Sequence, residues 1–133
     1  MPVFSEQSRS NLGECDERLQ ALFNRVIEHF DCAVIEGHRP EKAQNAAYEA
    51  GRSRLRWPES KHNSRPARAV DVVPYPVDWE DDRRFHLFAG FVLATAEAMD
   101  IPVRWGGDWD QDTHWKDQSF HDLPHFELTD EAG

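Results

Sequence analysis

The chain has 133 residues, a formal net charge of -10 and 39% hydrophobic residues, which bounds it to one domain with a compact core. The acidic balance argues against a nucleic-acid partner, which selects basic surfaces, and no apolar run approaches the roughly 18 residues that span a bilayer. The opening Met1-Pro2-Val3-Phe4-Ser5-Glu6 has neither the basic region nor the apolar stretch of a secretory signal, so synthesis in a cytoplasm without a signal peptide is expected.

Leu12, Cys15, Leu19, Leu22, Phe23, Val26, Ile27 and Phe30 recur at helical spacing and predict one amphipathic helix over about residues 12 to 30. Cys32 to Ile35 is a short apolar run expected to be a buried strand. Pro40 suits the start of a helix and Gly51 its end, bracketing Glu41 to Ala50. Residues 52 to 67 form a long loop with two prolines and a basic cluster, and loops of this length tend to be functional. Ala69-Val70-Asp71-Val72-Val73 is expected to be a strand carrying one inward carboxylate. Asp78 is placed as the cap of a helix whose buried stripe is Phe85, Phe88, Ala89, Val92, Leu93, Ala96 and Met99. Ile101 to Trp105 is a further strand, Gly106-Gly107 a turn, residues 108 to 121 a lid-like loop, and Phe126 to Leu128 the last strand before a loose tail from Thr129. This order predicts an α+β fold, a small mostly antiparallel sheet packed with about three helices. No repeat or linker marks a second module, and no separate binding domain is visible.

Two cysteines, Cys15 and Cys32, lie at apolar-patterned positions and are expected to be reduced core thiols, because no dense cysteine framework surrounds them. Arg52, Arg54, Arg56, Lys61, Arg65 and Arg68 crowd one segment opposed only by Glu59. Such a segment is either a solvated loop or a local positive field that draws carboxylates against the net charge of the protein.

The chemistry is concentrated in Ser60-Lys61-His62, Ala69-Val70-Asp71 and Asp122-Leu123-Pro124-His125-Phe126-Glu127. Burying a lone Asp in an apolar strand is costly unless it is paired or bound to a metal. Two histidines and a carboxylate can hold zinc and leave one position open, the pattern of catalytic rather than structural sites. Taken alone, a histidine such as His62 or His125 on an apolar stretch is more often a hydrogen-bonded core residue than a ligand. His29 and His86 fall in predicted helices and are read as structural or surface residues. Pro124 disfavours a helix through the last block, so the expected geometry is a loop entering a strand, with Asp122 beside His125. There Glu127 shares a face with His125 and is placed to orient it; His121 and Glu127 are the competing bases. Asp108, Asp110 and Asp112 alternate as in the opening of a calcium loop, but Thr113 and Ser119 stand where that pattern needs Gly and Glu. Trp105, Trp109 and Trp115 are candidate walls of a cleft, and core packing explains Trp105 as well.

These blocks resemble the zinc peptidases of the D-alanyl-D-alanine carboxypeptidase and VanY type, and most closely their phage-lysin branch, the L-alanyl-D-glutamate endopeptidases. The similarity runs from Val34 to Leu128 through Glu36-Gly37-His38-Arg39, Ala69-Val70-Asp71-Val72-Val73-Pro74 and Trp105-Gly106-Gly107-Asp108. The step from His62 to Asp71 is longer than in the shorter family form, with Asn63-Ser64-Arg65-Pro66 as a longer loop. The resemblance implies Zn2+ on His62, Asp71 and His125 in a cleft over the sheet. It also implies Asp122 as general base, Arg39 as the cation that stabilises the oxyanion, and Ser60 as a substrate contact. The implied substrate is the peptidoglycan stem peptide, cut between L-alanine and D-glutamate by a monomeric lysin that reaches the wall after another protein permeabilises the membrane. The alternatives are a D-alanyl-D-alanine carboxypeptidase or dipeptidase with the same zinc site, and a catalytically inactive metal-binding interaction domain.

Overall fold

Gly13 and Asp16 divide the N-terminal amphipathic segment into two helices. In the computed structural model, which describes residues 2–114 and 121–130, α1 spans Glu6–Leu12 and α2 spans Glu17–Ile27. The single helix expected over residues 12 to 30 is therefore corrected. Asp16 takes the backbone N–H of Arg18 at 2.9 Å, a side-chain cap that starts a new helix. Cys15 meanwhile lies extended and bridges to Ala67. Only Ser8 and Leu12 of α1 are buried, too sparse a pattern to announce a helix.

Strand β1 (Cys32–Glu36), helix α3 (Glu41–Glu49), strand β2 (Ala69–Pro74), helix α4 (Asp82–Ala98), strand β3 (Val103–Gly106) and strand β4 (Asp122–Leu128) follow. The four strands order as β1-β2-β4-β3, and every pairing is antiparallel. The fold is α+β, with four α-helices among the described residues rather than about three. Helix α4 is capped by Asp81, which accepts from Arg84 N. Asp78, the expected cap, instead accepts from Glu80 N at 3.0 Å in the preceding turn. The α4 stripe buries Phe85, Phe88, Ala89, Val92 and Ala96, while Leu93 and Met99 pack partly buried at its margin. Trp115 and Ser119, and with them the far half of the expected lid, lie outside the described residues.

Alternation along the strands decides where the site can be. Val70 and Val72 of β2, with Phe126 and Leu128 of β4, join the hydrophobic core, where Phe126 meets Phe23 at 5.5 Å and Phe88 at 6.1 Å between ring centroids. Helix α4 packs against β2, β3 and β4, and α2 packs against α4. Successive side chains point to opposite faces of a strand, so Asp71, His125 and Glu127 project from the face away from that core. Cys15 and Cys32 are buried free thiols, and burial pushes both up to about 12.

Strand β4 begins four residues earlier than expected because it carries an irregularity. Trp105 pairs with Phe126, but Gly106 already pairs with Asp122, so Leu123, Pro124 and His125 bulge out opposite one step of β3. Pro124 has no amide hydrogen to give the ladder and suits such a break. Gly106 lets Asp122 in: a Cβ there would lie 2.1 Å from the Asp122 carbonyl oxygen. Gly90, exposed within α4, has nothing within 4 Å of a built Cβ. Urea denaturation should therefore separate the two. Gly106→Ala is expected to lose about 1–3 kcal/mol by overpacking, and Gly90→Ala to gain about 0.5–1 kcal/mol from the lost conformational freedom of the unfolded chain. Shifts of the same sign would contradict this account of the bulge.

Candidate metal centre and active site

Each of the three expected ligands is fixed by its own element. His62 lies in a single 3-10 turn, Lys61–Asn63, closed by Ser60, whose Oγ accepts from His62 N while Asn63 returns a bond to Ser60 N. This turn is clamped to the segment after β1: Arg39 N donates to His62 O at 2.8 Å, and Asn63 Nδ2 to Arg39 O at 2.9 Å. Asp71 and His125 are directly paired across β2 and β4. One oxygen, Asp71 Oδ1, lies 3.1 Å from His62 Nε2 and 3.3 Å from His125 Nδ1. The ligand atoms of all three residues lie within 4.8 Å of one another, and all three residues are buried.

The outer nitrogens of the two rings determine what the inner ones can do. His62 Nδ1 lies 2.8 Å from the Gly37 carbonyl oxygen, which can only accept, so that nitrogen carries the proton. His125 Nε2 lies 2.7 Å from Glu127 Oε1 and donates likewise to the carboxylate. In their neutral forms both rings then aim a lone pair at the same carboxylate oxygen. That is repulsive unless each ring takes a second proton or a cation sits among the three donors. Zinc bond lengths of about 2.0–2.2 Å at a tetrahedral angle give donor separations of about 3.4 Å, close to the 3.1 and 3.3 Å seen here. The residues fit a divalent cation by donor type, by tautomer and by spacing.

The protonation energetics of the side chains tell the same story. Burial works against the Asp71 carboxylate, yet the charge of His62 and the hydrogen bonds of both histidines hold its pKa far below the usual range. Burial likewise opposes a charged His125, but the Asp71 and Glu127 carboxylates prevail and lift it to about 10. This pocket demands positive charge between its carboxylates. Glu127, raised by burial but lowered further by His125, Arg104 and Lys61, sits at about 2, and is bridged by Arg104 at 2.8 Å and Lys61 at 3.4 Å. Glu127 is thus a fixed anion that orients His125, as its shared strand face led one to expect, and a poor base.

Asp122 is the other kind of carboxylate. Its Oδ2 lies 3.8 Å from His125 Nδ1. Burial and the neighbouring Asp71 charge push it up to about 6, against His125, His62 and Arg39. A base with a pKa near the working pH is what proton transfer needs. His121, the competing base, is exposed. The Arg39 guanidinium lies 3.5 Å from Asp71 Oδ2 and is held by Glu36 Oε1 and by Gln44 Oε1, each at 3.0 Å. The Asp122, Arg39 and Ser60 side chains all line one cavity of about 550 Å³ with His62, His125 and Trp109. Trp109 packs 5.2 Å from the His125 ring. Trp105 takes the core alternative, buried with its Nε1 donating to Leu123 O at 2.7 Å.

Gln44 is the residue that sequence reading missed. Fully buried on α3, it accepts from Arg39 and Asn63 through Oε1 and donates through Nε2 to Ser53 Oγ at 2.9 Å and Leu55 O at 2.6 Å. One amide thereby ties the Arg39 guanidinium, the turn holding His62 and the basic loop together. The only signal was its place one turn before the buried Ala47 on a helix face. Asp108, Asp110 and Asp112 do converge. Their carboxylates accept from the backbone of Asp112, Thr113 and His114, as acidic turn residues do, and Thr113 holds φ +69° where a calcium loop needs Gly.

Residues 2–129 match the family model described as phage L-alanyl-D-glutamate peptidase. Among solved structures, the chain is similar to the L-Ala D-Glu endopeptidase ChiX of Serratia marcescens, with 29% identity over 96% of this chain and 90% of that one, at a TM-score of 0.74. Because Glu127 orients His125, Glu127→Ala should weaken divalent-metal affinity by about 10–100-fold, read by competition with a chromophoric chelator. An unchanged affinity would remove Glu127 from the support of the metal centre.

Proposed function

The chain belongs to the phage L-alanyl-D-glutamate peptidase family, and we propose that it is a zinc-dependent endopeptidase that hydrolyses the L-alanyl-D-glutamate bond of the peptidoglycan stem peptide. The single observation that carries the metal-dependent part is the pair of imidazole nitrogens converging on one Asp71 oxygen. His62 Nε2, Asp71 and His125 Nδ1 would hold the ion. When bound, zinc would supply a Lewis acid for the scissile carbonyl and acidify a water molecule.

The remaining work falls to the chain's own side chains. Asp122 takes the proton from the attacking water and hands it to the leaving amine of D-glutamate. Arg39 offers its guanidinium to the negative charge that develops on the carbonyl oxygen. It is held in place beforehand by Glu36 and Gln44, so no reorganisation accompanies the step. Ser60 already accepts from His62 N, leaving its hydroxyl hydrogen to donate to substrate. Trp109 covers His125 and shields the site from bulk water.

The biological reading is lysis of a bacterial host in phage infection. No helix of the described residues is long and apolar enough to cross a membrane, which is compatible with a lysin that reaches the wall through a lesion made by another protein.

Digestion of purified muropeptides, followed by mass spectrometry, tests the bond: products that leave lactyl-L-alanine on the glycan are expected, and release of free D-alanine would contradict the proposal. Asp122→Asn should lower kcat by about 10²–10⁴-fold while a stoichiometric zinc ion is retained. The base must be ionised to act, so kcat/KM of the native protein should rise with pH and level off above about 6, or lower where the cation assists ionisation. An Asp122→Asn protein as active as the native one would show that another group takes the proton.

A further inference from the structure

Helix α3 is not docked by the apolar stripe that ordinarily holds a helix to its protein. Of its nine residues only Gln44 and Ala47 are buried, and Gln44 is completely closed to solvent. A buried amide has two acceptor and two donor sites to satisfy, and this one satisfies all four. Oε1 accepts from Arg39 Nη1 at 3.0 Å and from Asn63 Nδ2 at 3.2 Å. Nε2 donates to Ser53 Oγ at 2.9 Å and to Leu55 O at 2.6 Å. The neighbours dictate which way the amide points. A guanidinium can only donate and a carbonyl can only accept, so the oxygen faces Arg39 and the nitrogen faces Leu55.

The oxygen end completes the immobilisation of Arg39. Glu36, at the end of β1, accepts from Nε and Nη2 and grips one edge of the guanidinium plane. Nη1, at the other edge, goes to Gln44. A planar group held at one edge can still swing; held at both edges from separate elements it cannot. Gln44 achieves this without adding charge. A second carboxylate in its place would offset part of the positive charge that Arg39 presents to Asp71 and Asp122, whereas a neutral amide leaves it intact. The nitrogen end has a different role. Ser53 and Leu55 line the cavity that contains His62 and His125, so the same side chain fixes a wall of that cavity.

Resting on the peptidase reading above, we propose that Gln44 is a positioning residue for the hydrolysis. Through Oε1 it fixes the Arg39 guanidinium for the negative charge that develops on the carbonyl oxygen, and through Nε2 it fixes the wall along which substrate lies. Closed to solvent, Gln44 never touches substrate and acts only through these partners. A charge stabiliser is effective when it is held in place before the reaction, and a small misplacement is costly in rate.

A double-mutant cycle on stem-peptide hydrolysis tests this, with kcat expressed per zinc-loaded molecule so that lost metal or lost fold does not count. Gln44→Met, similar in size but without hydrogen-bonding groups, should lower kcat by about tenfold. Arg39→Met should lower it by about 10²–10³-fold. Because Gln44 acts on the rate through Arg39, the double variant should be no slower than Arg39→Met alone. The accompanying rise in KM, about two- to tenfold, comes through the wall and should be the same in both backgrounds. Rate losses that multiply, an Arg39→Met protein at full rate, or an unchanged kcat or KM in Gln44→Met overturn the assignment and leave metal-dependent cleavage standing. A native protein that does not cleave the stem peptide overturns both. The metal-free native protein gives a reading independent of activity and of any variant. Its 15N-resolved spectrum should show the two Arg39 Nη groups as separate signals in slow exchange, and a single averaged signal would overturn the assignment.

Discussion

Three buried donors aimed at one point constrain everything else in this structure. Asp71 Oδ1 faces two imidazole nitrogens whose outer partners, the Gly37 carbonyl and the Glu127 carboxylate, already claim the ring protons. With both rings neutral, their lone pairs repel the Asp71 carboxylate, and a cation at the centre would turn each repulsion into a bond. Burying an unpaired carboxylate in an otherwise apolar strand is costly. The cost is accepted here because the alternation of β2 and β4 delivers Asp71 and His125 side by side on the face of the sheet away from the core.

The surroundings follow from that demand. The 3-10 turn must present Nε2 of His62 rather than Nδ1, so it is strapped to the segment after β1 by Arg39 N and Asn63. The β4 bulge must carry Asp122 close to His125 without making it a ligand of the same kind, and Gly106 gives its backbone room. Two carboxylates near one centre are thereby driven apart. Glu127, compensated by Arg104 and Lys61, stays an anion at about 2. Asp122, buried beside another negative charge, rises to about 6. Opposed shifts of this kind suit Glu127 to orienting a ring and Asp122 to the role of base proposed for it.

Much of this was legible in the residues. The apolar run around Asp71 announced a strand whose single carboxylate needed a partner, and Pro124 announced that the His125 block would not be helical. Period-2 spacing placed Glu127 beside His125. What was not legible depended on contacts distant in sequence. The break between α1 and α2 turns on the Asp16 cap and the bridge from Cys15 to Ala67, and the amphipathic pattern runs through it unmarked. Gln44 looks like an ordinary polar helix residue until the loops that it joins are folded around it. The cap of α4 moved from Asp78 to Asp81 because several acidic residues crowd that turn, and composition cannot choose among them.

The most direct measurement is the 15N chemical shift of the His62 and His125 ring nitrogens during a zinc titration. The account requires saturation at one equivalent, with His62 Nε2 and His125 Nδ1 moving to metal-bound values while His62 Nδ1 and His125 Nε2 stay protonated. Zinc bound through the opposite nitrogens, or rings indifferent to the metal, would contradict it.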